Sequence, residues 1–425
     1  MRRYRPRVAD RILQFKLRSA GAVEIKGPKW CGKTTTAEQV AASSAHLLGS
    51  RESAQLEELA KNAPDLFLAG DVPRLVDEWQ TVPFIWDDIR SEVDRRGEVG
   101  QFVLTGSATP IDGDADPRRH SGIGRIAPMT MRTMTLSEFG DGPGGVSVAG
   151  LFEGADLQSA RCDLSLEDYA FLTCRGGWPS ALDMNRETAL EQARIFFEGL
   201  VADDIGRVCK NTRNPERVKR VLRALARATS SETSIASLRK DMLANDSQTL
   251  SEETVASYVN TLERLYVVEN LEGWNPNLRS KTAVRTSVTR HFTDPSIACA
   301  ALGIGPGDLI GDLRTFGLFF ESLAVRDLRT YAEALGGGVS HYRDASGLEA
   351  DAVLHAPDGS WAAIEVKLGS TEGIEVGAAS LRKLAGRVDE REERPASFLM
   401  VVTASQYAYR REDGVLVVPL GCLEA

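Results

Sequence analysis

The chain has 425 residues, a formal net charge of −9, and hydrophobic and charged fractions of 42% and 26%. This length exceeds what one core supports, so we expect two or three domains, and the ordinary composition excludes a disordered or fibrous protein. The acidic balance disfavours a nucleic-acid coat protein, and the lack of a span-length apolar stretch or a signal-peptide core predicts a cytoplasmic protein with no membrane partner.

The cysteines and histidines argue against a structural metal centre. Six cysteines are scattered through the sequence without a C-x-x-C pair, and the five histidines are not clustered. Zinc sites need such closely spaced ligands, and disulfide frameworks are typical of small secreted domains. We therefore expect reduced thiols and no Cys- or His-based metal site.

Residues 1–20 form a basic amino-terminal arm. Its first eighteen residues carry seven arginines and lysines against a single acid, Asp10. Such an arm could contact phosphates or a neighbouring subunit, but basic termini are often simply solvated. The sequence leaves these alternatives open.

A phosphate-binding loop is predicted at residues 27–34, which match G-x-x-x-x-G-K-[ST] between a predicted strand at 22–25 and a predicted helix at 35–48. The glycines let backbone N–H groups wrap a polyphosphate at the positive end of the helix dipole. Lys33 would reach the terminal phosphates, and Thr34 would ligate Mg²⁺. The alternative is a glycine turn that only begins a helix. The residues expected to bind the nucleotide are Gly27, Pro28, Lys29, Trp30, Cys31, Gly32, Lys33, Thr34 and Thr35.

The acid that such a loop requires for hydrolysis is predicted at residues 75–78, an apolar strand that ends in Asp77 and Glu78. Asp77 would hold the Mg²⁺ shell, and Glu78 would polarise the attacking water. The pattern is weak alone, but it is stronger at this distance from a phosphate-binding loop.

Two further candidates follow in the same predicted domain. The strand at 101–104 runs into Thr105 and Ser107, whose hydroxyls could sense the γ-phosphate or orient water, or could simply close a turn. Arg125 could act as an arginine finger, either in its own chain or across a subunit interface, or could be a surface residue.

Glycine and proline punctuation divides the chain further. We assign an ATPase domain to 21–140, a linker to 141–165 and a helical, winged-helix-like region to 166–300, with an α/β domain at 301–425. Three helices at 216–228, 234–243 and 251–265 and a strand at 266–271 suggest the winged helix. The first of these helices is rich in bases, and two alternatives stay open: non-specific contact with DNA, or a scaffold between domains or subunits.

A second constellation lies in the carboxyl-terminal domain. Glu321 is predicted on the apolar column of a helix at 313–335, where a carboxylate needs a partner. Asp351 lies on the predicted strand at 348–354, and Glu365 and Lys367 share a face of the strand at 361–367. Helix acid, strand Asp and Glu-x-Lys resemble the PD-(D/E)xK nuclease superfamily. Asp351 and Glu365, with Glu321, would then bind Mg²⁺, and Lys367 would position water or stabilise developing charge.

Several alternatives remain for this site. Glu365 and Lys367 could form a simple ion pair, and Glu349, on the same strand face as Asp351, is an alternative ligand. Folds of this kind also persist as inactive binding modules, so the pattern does not establish cleavage.

Taken together, the sequence resembles bacterial and archaeal AAA-type ATPases with a C-terminal domain of unknown function. Two departures from the family pattern are Trp79 and the middle of the loop at 28–31. Neither departure changes a residue with a predicted catalytic role. The resemblance implies an α/β protein with an N-terminal AAA-type P-loop domain, a central helical and winged-helix region and a C-terminal α/β restriction-endonuclease-like domain. The segments that carry it are residues 4–7, 27–35, 75–83, 102–107, 124–125 and 136–139.

Two functional hypotheses follow. In the first, ATP and Mg²⁺ drive a protein, expected to be a homo-oligomer, whose nucleotide state controls a nuclease-like domain acting on DNA in processing or defence. In the second, the chain is a nucleotide-dependent signalling switch whose nuclease-like domain is inactive. A metabolic kinase is disfavoured, because Glu78 beside Asp77 suits water activation.

Overall fold

The structure is a computed structural model that describes residues 4–49, 51–108, 121–204, 215–243, 250–275, 287–388 and 395–425. These residues belong to two units. The described residues of the first unit are 4–49, 51–108, 121–133 and 261–266, and the remaining described residues form the second unit. No helix in the described ranges is long and apolar enough to cross a membrane.

The first unit contains a parallel five-stranded sheet with the order β2-β3-β4-β1-β5. Its strands are β1 Ala22–Lys26, β2 Ser43–His46, β3 Arg74–Asp77, β4 Phe102–Gly106 and β5 Ile126–Thr130. Its helices are α1 Val8–Leu17, α2 Lys33–Glu38, α3 Ser53–Asn62, α4 Pro64–Leu68 and α5 Ile85–Arg96. All five strands run in one direction, so their carboxyl ends meet at one edge, where open α/β sheets bind ligands.

Alternate residues of β4 pack into two different hydrophobic clusters. Val103 packs with Leu13 of α1, whereas Phe102 and Leu104 pack with Ile89 of α5. Successive side chains of a strand lie on opposite faces of a sheet. The sheet therefore has a helical layer on each face, as the apolar strand sequences require.

The predicted helix at 35–48 is wrong in its second half. Helix α2 ends at Glu38, and residues 43–46 form β2, which pairs in parallel with β3 from Ser43 beside Arg74. The alanine-rich sequence favours helix locally, but pairing at the edge of the sheet overrides that weak preference.

The second unit begins with elements that the sequence assigned to the end of the ATPase domain and to a linker. The elements before its main sheet are α6 Leu136–Phe139, β6 Val146–Ser147, α7 Val148–Phe152, β7 Ala160–Arg161, α8 Leu166–Arg175, α9 Arg186–Gly199, α10 Pro215–Arg227, β8 Ser231–Glu232, α11 Ile235–Leu243, α12 Glu252–Arg264, β9 Thr289–Arg290, α13 Pro295–Leu302 and α14 Pro306–Gly311. Of α12, residues 252–260 belong to this unit. The short strand β6 pairs in parallel with the final strand of the chain, so residues 141–165 are part of a folded unit.

The main sheet of the second unit has seven strands in the order β10-β11-β12-β13-β15-β14-β7. The remaining elements are α15 Leu313–Ala334, β10 Gly338–Arg343, β11 Glu349–His355, β12 Trp361–Lys367, α16 Thr371–Arg387, β13 Phe398–Thr403, β14 Tyr407–Arg410, β15 Leu416–Pro419 and β16 Leu423–Glu424. Strands β10, β11 and β12 are antiparallel neighbours, whereas β12, β13 and β15 are parallel. The α/β character predicted for this region is thus present.

The three helices predicted in the central region are present as α10, α11 and α12. The predicted strand at 266–271 is instead reduced to isolated bridges, Val268 with Phe292 and Leu271 with Thr289. Residues 276–286 lie outside the described residues. The winged-helix assignment therefore stays a prediction.

A buried ion-paired triad holds several elements of the second unit together. The guanidinium of Arg326 on α15 lies 3.1 Å from Asp294 Oδ2 and 2.7 Å from Asp327 Oδ1, and all three side chains are at most 1% exposed. Asp327 also accepts the Leu136 N–H, and Asp294 accepts the Gly177 N–H, both at 2.9 Å. Burial raises the pKa of Asp327 to about 6, although Arg326 favours its charged form.

Candidate functional site

The predicted phosphate-binding loop lies at the carboxyl edge of the first sheet, between β1 and α2. Gly27 has φ 153° and Gly32 has φ 104°, which are backbone conformations that favour glycine. A Cβ on Gly27 would lie 2.0 Å from the Met131 carbonyl oxygen. The first glycine is therefore required by close approach as well as by conformation.

The charged end of Lys33 lies inside this loop. Its Nζ donates hydrogen bonds to the carbonyl oxygens of Gly27, at 2.9 Å, and Pro28, at 2.8 Å, and the side chain is buried. The loop therefore surrounds a positive charge, which is the environment a polyphosphate needs. The side chains of Trp30 and Thr35 are exposed.

Three side chains from neighbouring strand ends and from α2 converge on Asp77. The hydroxyls of Thr34 and Thr105 donate to its Oδ1 at 2.7 and 2.5 Å, and His46 Nδ1 lies 3.1 Å from its Oδ2. The structure thus brings together Thr34, Asp77 and Thr105, three of the residues that the sequence singled out. His46 was not predicted, because the segment that carries it was interpreted as helix.

Glu78 follows β3 in a left-handed backbone conformation, with φ 57° and ψ 44°. Its Oε2 accepts hydrogen bonds from Ser107 Oγ at 2.9 Å and from Gln80 Nε2. Its backbone N–H donates to Thr105 Oγ1 at 3.3 Å. A non-glycine residue in this conformation is often held so by function. In Glu78 this conformation directs the carboxylate toward the hydroxyls at the end of β4.

Arg125 lies at the opposite edge of the sheet. Its carbonyl accepts the N–H of Ala22, the first residue of β1, and its side chain pairs with Asp94 at 2.8 Å. A five-residue strand spans about 16 Å, which separates Arg125 from the loop. The expectation that Arg125 acts as an arginine finger on the loop of its own chain is therefore wrong. A role for Arg125 across a subunit interface stays a prediction.

The donor chemistry at this edge suits Mg²⁺, because hydroxyl and carboxylate oxygens are its preferred protein ligands. Thr34 and Asp77 would hold the ion, which when bound neutralises charge on the nucleotide phosphates. The loop, Lys33, Asp77 and Glu78 together define a P-loop nucleoside triphosphatase.

Comparison with family models makes this assignment more specific. Residues 19–140 match the family described as AAA domain, and this part of the chain is an AAA-type P-loop ATPase domain. Residues 166–308 and 316–423 match two further families, each described as a domain of unknown function, DUF8612 and DUF4143. None of the curated proteins compared matches the chain.

The solved structures that are similar to the chain include the following three. The Walker-type ATPase PABY2304 of Pyrococcus abyssi is 12% identical with a TM-score of 0.39, over 69% of this chain and 94% of that chain. The ORC1 protein of Aeropyrum pernix in complex with DNA is 13% identical with a TM-score of 0.24, over 73% and 95%. Drosophila ORC bound to DNA is 14% identical with a TM-score of 0.21, over 60% and 83%. At these TM-scores the similarity carries no argument about function.

Replacing Lys33 with alanine is expected to weaken ATP binding about 10- to 100-fold, because charged hydrogen bonds to the phosphates contribute about 1.5–3 kcal/mol. Titration of each protein with a fluorescent ATP analogue measures the change in Kd. Lys61→Ala, on the exposed surface of α3, is the matched control and should bind like the wild type. Equal affinity of the Lys33 and Lys61 variants would contradict the assigned role.

The residues of the second predicted constellation also lie together. Strands β11 and β12 pair with Ala352 beside Ile364, which places Asp351 next to Glu365. Lys367 Nζ lies 2.5 Å from Glu365 Oε2 and 3.3 Å from Asp351 Oδ2, and the Val366 N–H donates to Asp351 Oδ2 at 2.7 Å.

Burial and the neighbouring charges in this cluster shift the pKa values of three of its side chains. Burial, and then the neighbouring Asp351, raises the pKa of Glu365 to about 8. Burial and Asp351 also raise the pKa of Glu321 well above its usual range, which places Glu321 within reach of the same charges. Burial disfavours the charged form of Lys367, but the carboxylates of Asp351 and Glu365 outweigh it and raise its pKa.

Two observations bear on whether this cluster could hold a cation. Glu365 is 2% exposed, and among the described residues its buried Oε1 has no hydrogen-bond partner. An orphaned carboxylate oxygen fits a hard divalent ion. However, no three acidic, His or Cys side chains in the described ranges are arranged to hold a metal ion, and Lys367 bridges two of the carboxylates.

The alternative ligand Glu349 is directed elsewhere. It is exposed, and its Oε2 lies 3.6 Å from Arg343 Nη1. Ser230, which the sequence did not single out, lies near Glu321 and favours its charged form, while its own hydroxyl donates to the Leu318 carbonyl at 2.7 Å. No sequence signal identifies Ser230, because it precedes the nuclease-like pattern in another region of the chain.

Proposed function

We propose that this chain is an ATP-hydrolysing AAA-type protein whose nucleotide state controls a nuclease-like carboxyl-terminal domain acting on DNA. The observation that carries the proposal is the buried Glu365 Oε1, which has no hydrogen-bond partner among the described residues and lies beside Asp351 of the neighbouring strand. The order of a helix acid, a strand aspartate and a Glu-x-Lys strand supports a PD-(D/E)xK-like domain.

In this proposal, Asp351 and Glu365 would hold a divalent cation with Glu321 nearby, and the cation when bound would supply positive charge at the scissile phosphate. The chain's own residues would do the remaining work. Lys367 would donate hydrogen bonds to the developing negative charge, since its raised pKa keeps it protonated. Asp351 is held in place by the Val366 N–H, so its orientation does not depend on the cation.

The second candidate is a nucleotide-dependent switch whose nuclease-like domain only binds partners. Lys367 neutralises two carboxylates directly, and a stable ion-paired cluster would favour this alternative. The basic helix α10 favours it as well. Lys219 pairs with Glu216, Arg223 donates to the Ala301 carbonyl, and Arg227 pairs with Asp241. These contacts support a scaffold better than a phosphate-binding surface.

Cleavage of linear, branched and single-stranded DNA with Mg²⁺, with and without ATP, tests the proposal. We expect Asp351→Ala and Glu365→Gln to lower the cleavage rate by about 10²-fold or more, because a stabiliser of transition-state charge is lost. Glu412→Gln, at an exposed site, is the matched control.

Equal rates of DNA cleavage by the wild type and by Asp351→Ala on every substrate would reject the nuclease half of the proposal. The switch would then be tested by ATP-dependent partner capture or a change in oligomeric state. It predicts that Glu365→Gln leaves this response intact and that Lys33→Ala abolishes it.

A further inference from the structure

Arg7, which precedes α1, reaches the phosphate-binding loop from outside the motif. Its Nη1 donates to the Cys31 carbonyl at 3.0 Å, and its Nη2 donates to the Arg132 carbonyl at 3.0 Å. The residue is 7% exposed, so both hydrogen bonds are sheltered from water. Charged donors contribute more than neutral ones in such surroundings.

The contact with Cys31 controls a peptide group of the loop itself. The Cys31 carbonyl and the Gly32 N–H belong to one planar trans peptide and point in opposite directions. Holding the carbonyl toward Arg7 therefore directs the Gly32 N–H away from Arg7. Gly32 has φ 104° and no side chain to restrain it, so its peptide needs an external restraint to stay in one orientation.

The second contact joins the loop to the segment after β5. The Met131 N–H donates to the Lys26 carbonyl at 2.7 Å, and the Cys31 thiol donates to the Met131 carbonyl at 3.4 Å. Arg7 bridges Cys31 and the next carbonyl of that segment, Arg132. The loop is thus fixed against a strand end on the side that Arg7 occupies.

Arg7 is itself held by its neighbours. Its backbone N–H donates to Asp10 Oδ2 at 2.8 Å, and Tyr4 Oη donates to Asp10 Oδ1 at 2.5 Å. Tyr4 Oη also lies 3.0 Å from Thr36 Oγ1 on α2, the helix that follows the loop. Residues 4–10 therefore contact both the loop and its helix, whereas residues 1–3 lie outside the described residues.

We propose that Arg7 is a positioning residue for nucleotide binding: it orients the Cys31–Gly32 peptide so that the Gly32 N–H serves the phosphates. The role depends on the ATPase domain alone and is independent of the proposal for residues 316–423. Backbone N–H groups of such loops are the groups that cradle phosphates. Arg7 would act through this peptide without touching the nucleotide.

The test uses the full chain with Arg7→Ala, and Arg11→Ala, an exposed arginine of α1, as the matched control. We expect Arg7→Ala to weaken ATP and tripolyphosphate about tenfold, in the range of one charged hydrogen bond, with adenosine affinity unchanged. Guanidinium chloride below denaturing concentration should restore part of the loss, whereas the same concentration of sodium chloride should not. Titration of a fluorescent nucleotide, with the other ligands as competitors, measures these affinities.

Arg7→Lys provides a second variant if Arg7→Ala does not fold, because lysine keeps the charge but cannot form the two-pronged contact. It should bind ATP less tightly than the wild type. Unchanged tripolyphosphate affinity in a folded Arg7 variant would overturn the proposal. So would an equal loss for adenosine and ATP, or a loss that guanidinium does not reverse in Arg7→Ala.

Discussion

Replacing Glu78 with glutamine is expected to lower kcat for ATP hydrolysis by about 10²–10⁴-fold while leaving ATP affinity nearly unchanged. The amide keeps the size of the side chain but cannot accept a proton or polarise water as a carboxylate does. Ser107 and Gln80 hold the carboxylate of Glu78 at the end of β4, so the effect is specific to this position. Phosphate release measures kcat, and nucleotide titration measures Kd.

Glu58→Gln, on the exposed surface of α3, is the control for this change and should turn over like the wild type. Normal turnover in Glu78→Gln would assign water activation to another group. A parallel loss of binding would instead point to a structural role for the residue in its left-handed conformation.

Replacing Arg326 with methionine is expected to lower the free energy of unfolding of the second unit by about 3–5 kcal/mol. Methionine fills much of the arginine volume, but it leaves Asp294 and Asp327 buried without their cation. Breaking one side of a buried ion pair typically costs this much. Urea denaturation, followed by a signal from the second unit, measures the change.

The loss in free energy of unfolding that Arg326→Met causes, here called the deficit, should grow as the pH rises. Loss of the cation raises the folded-state pKa of Asp327, already about 6 in the wild type, further above its unfolded value. A carboxyl whose folded pKa is raised loses stability as pH rises, so the deficit is larger at about pH 8 than at about pH 5.

Arg314→Met, at an exposed site on the same helix, is the control and should unfold like the wild type. Combining Arg326→Met with Asp294→Asn and Asp327→Asn should recover part of the stability, because the uncompensated charges are removed. Equal unfolding free energies for Arg326→Met and Arg314→Met would show that the triad does not stabilise the unit.

The sequence signal for the predicted nucleotide site is local. Gly27, Lys33 and Thr34 are fixed by their spacing in one loop, and a strand that ends in Asp77 needs only its apolar run to be identified. The period-two pattern of β12 likewise places Glu365 and Lys367 on one face. In each case, a few neighbouring residues determine where the side chains lie.

The predictions from the sequence are wrong or incomplete where contacts between distant residues determine the structure. Residues 43–46 become β2 through pairing with β3, and that pairing also brings His46 to Asp77. Arg125 was assigned to the nucleotide site from its order in the chain. The direction of the strands places it at the edge of the sheet opposite the phosphate-binding loop. The contact of Arg7 with Cys31 joins two segments that are distant in the sequence, and no local spacing predicts it.

The position of α6 has a practical consequence for dividing the chain into recombinant fragments. Leu136 and Phe139 are buried in the second unit, where the Leu136 N–H binds Asp327 and the Arg175 guanidinium lies 3.6 Å from the Phe139 ring. A fragment that stops at residue 140, the end of the matched AAA domain, would carry these two side chains into water and promote aggregation. A cut after residue 133 leaves them with their own unit.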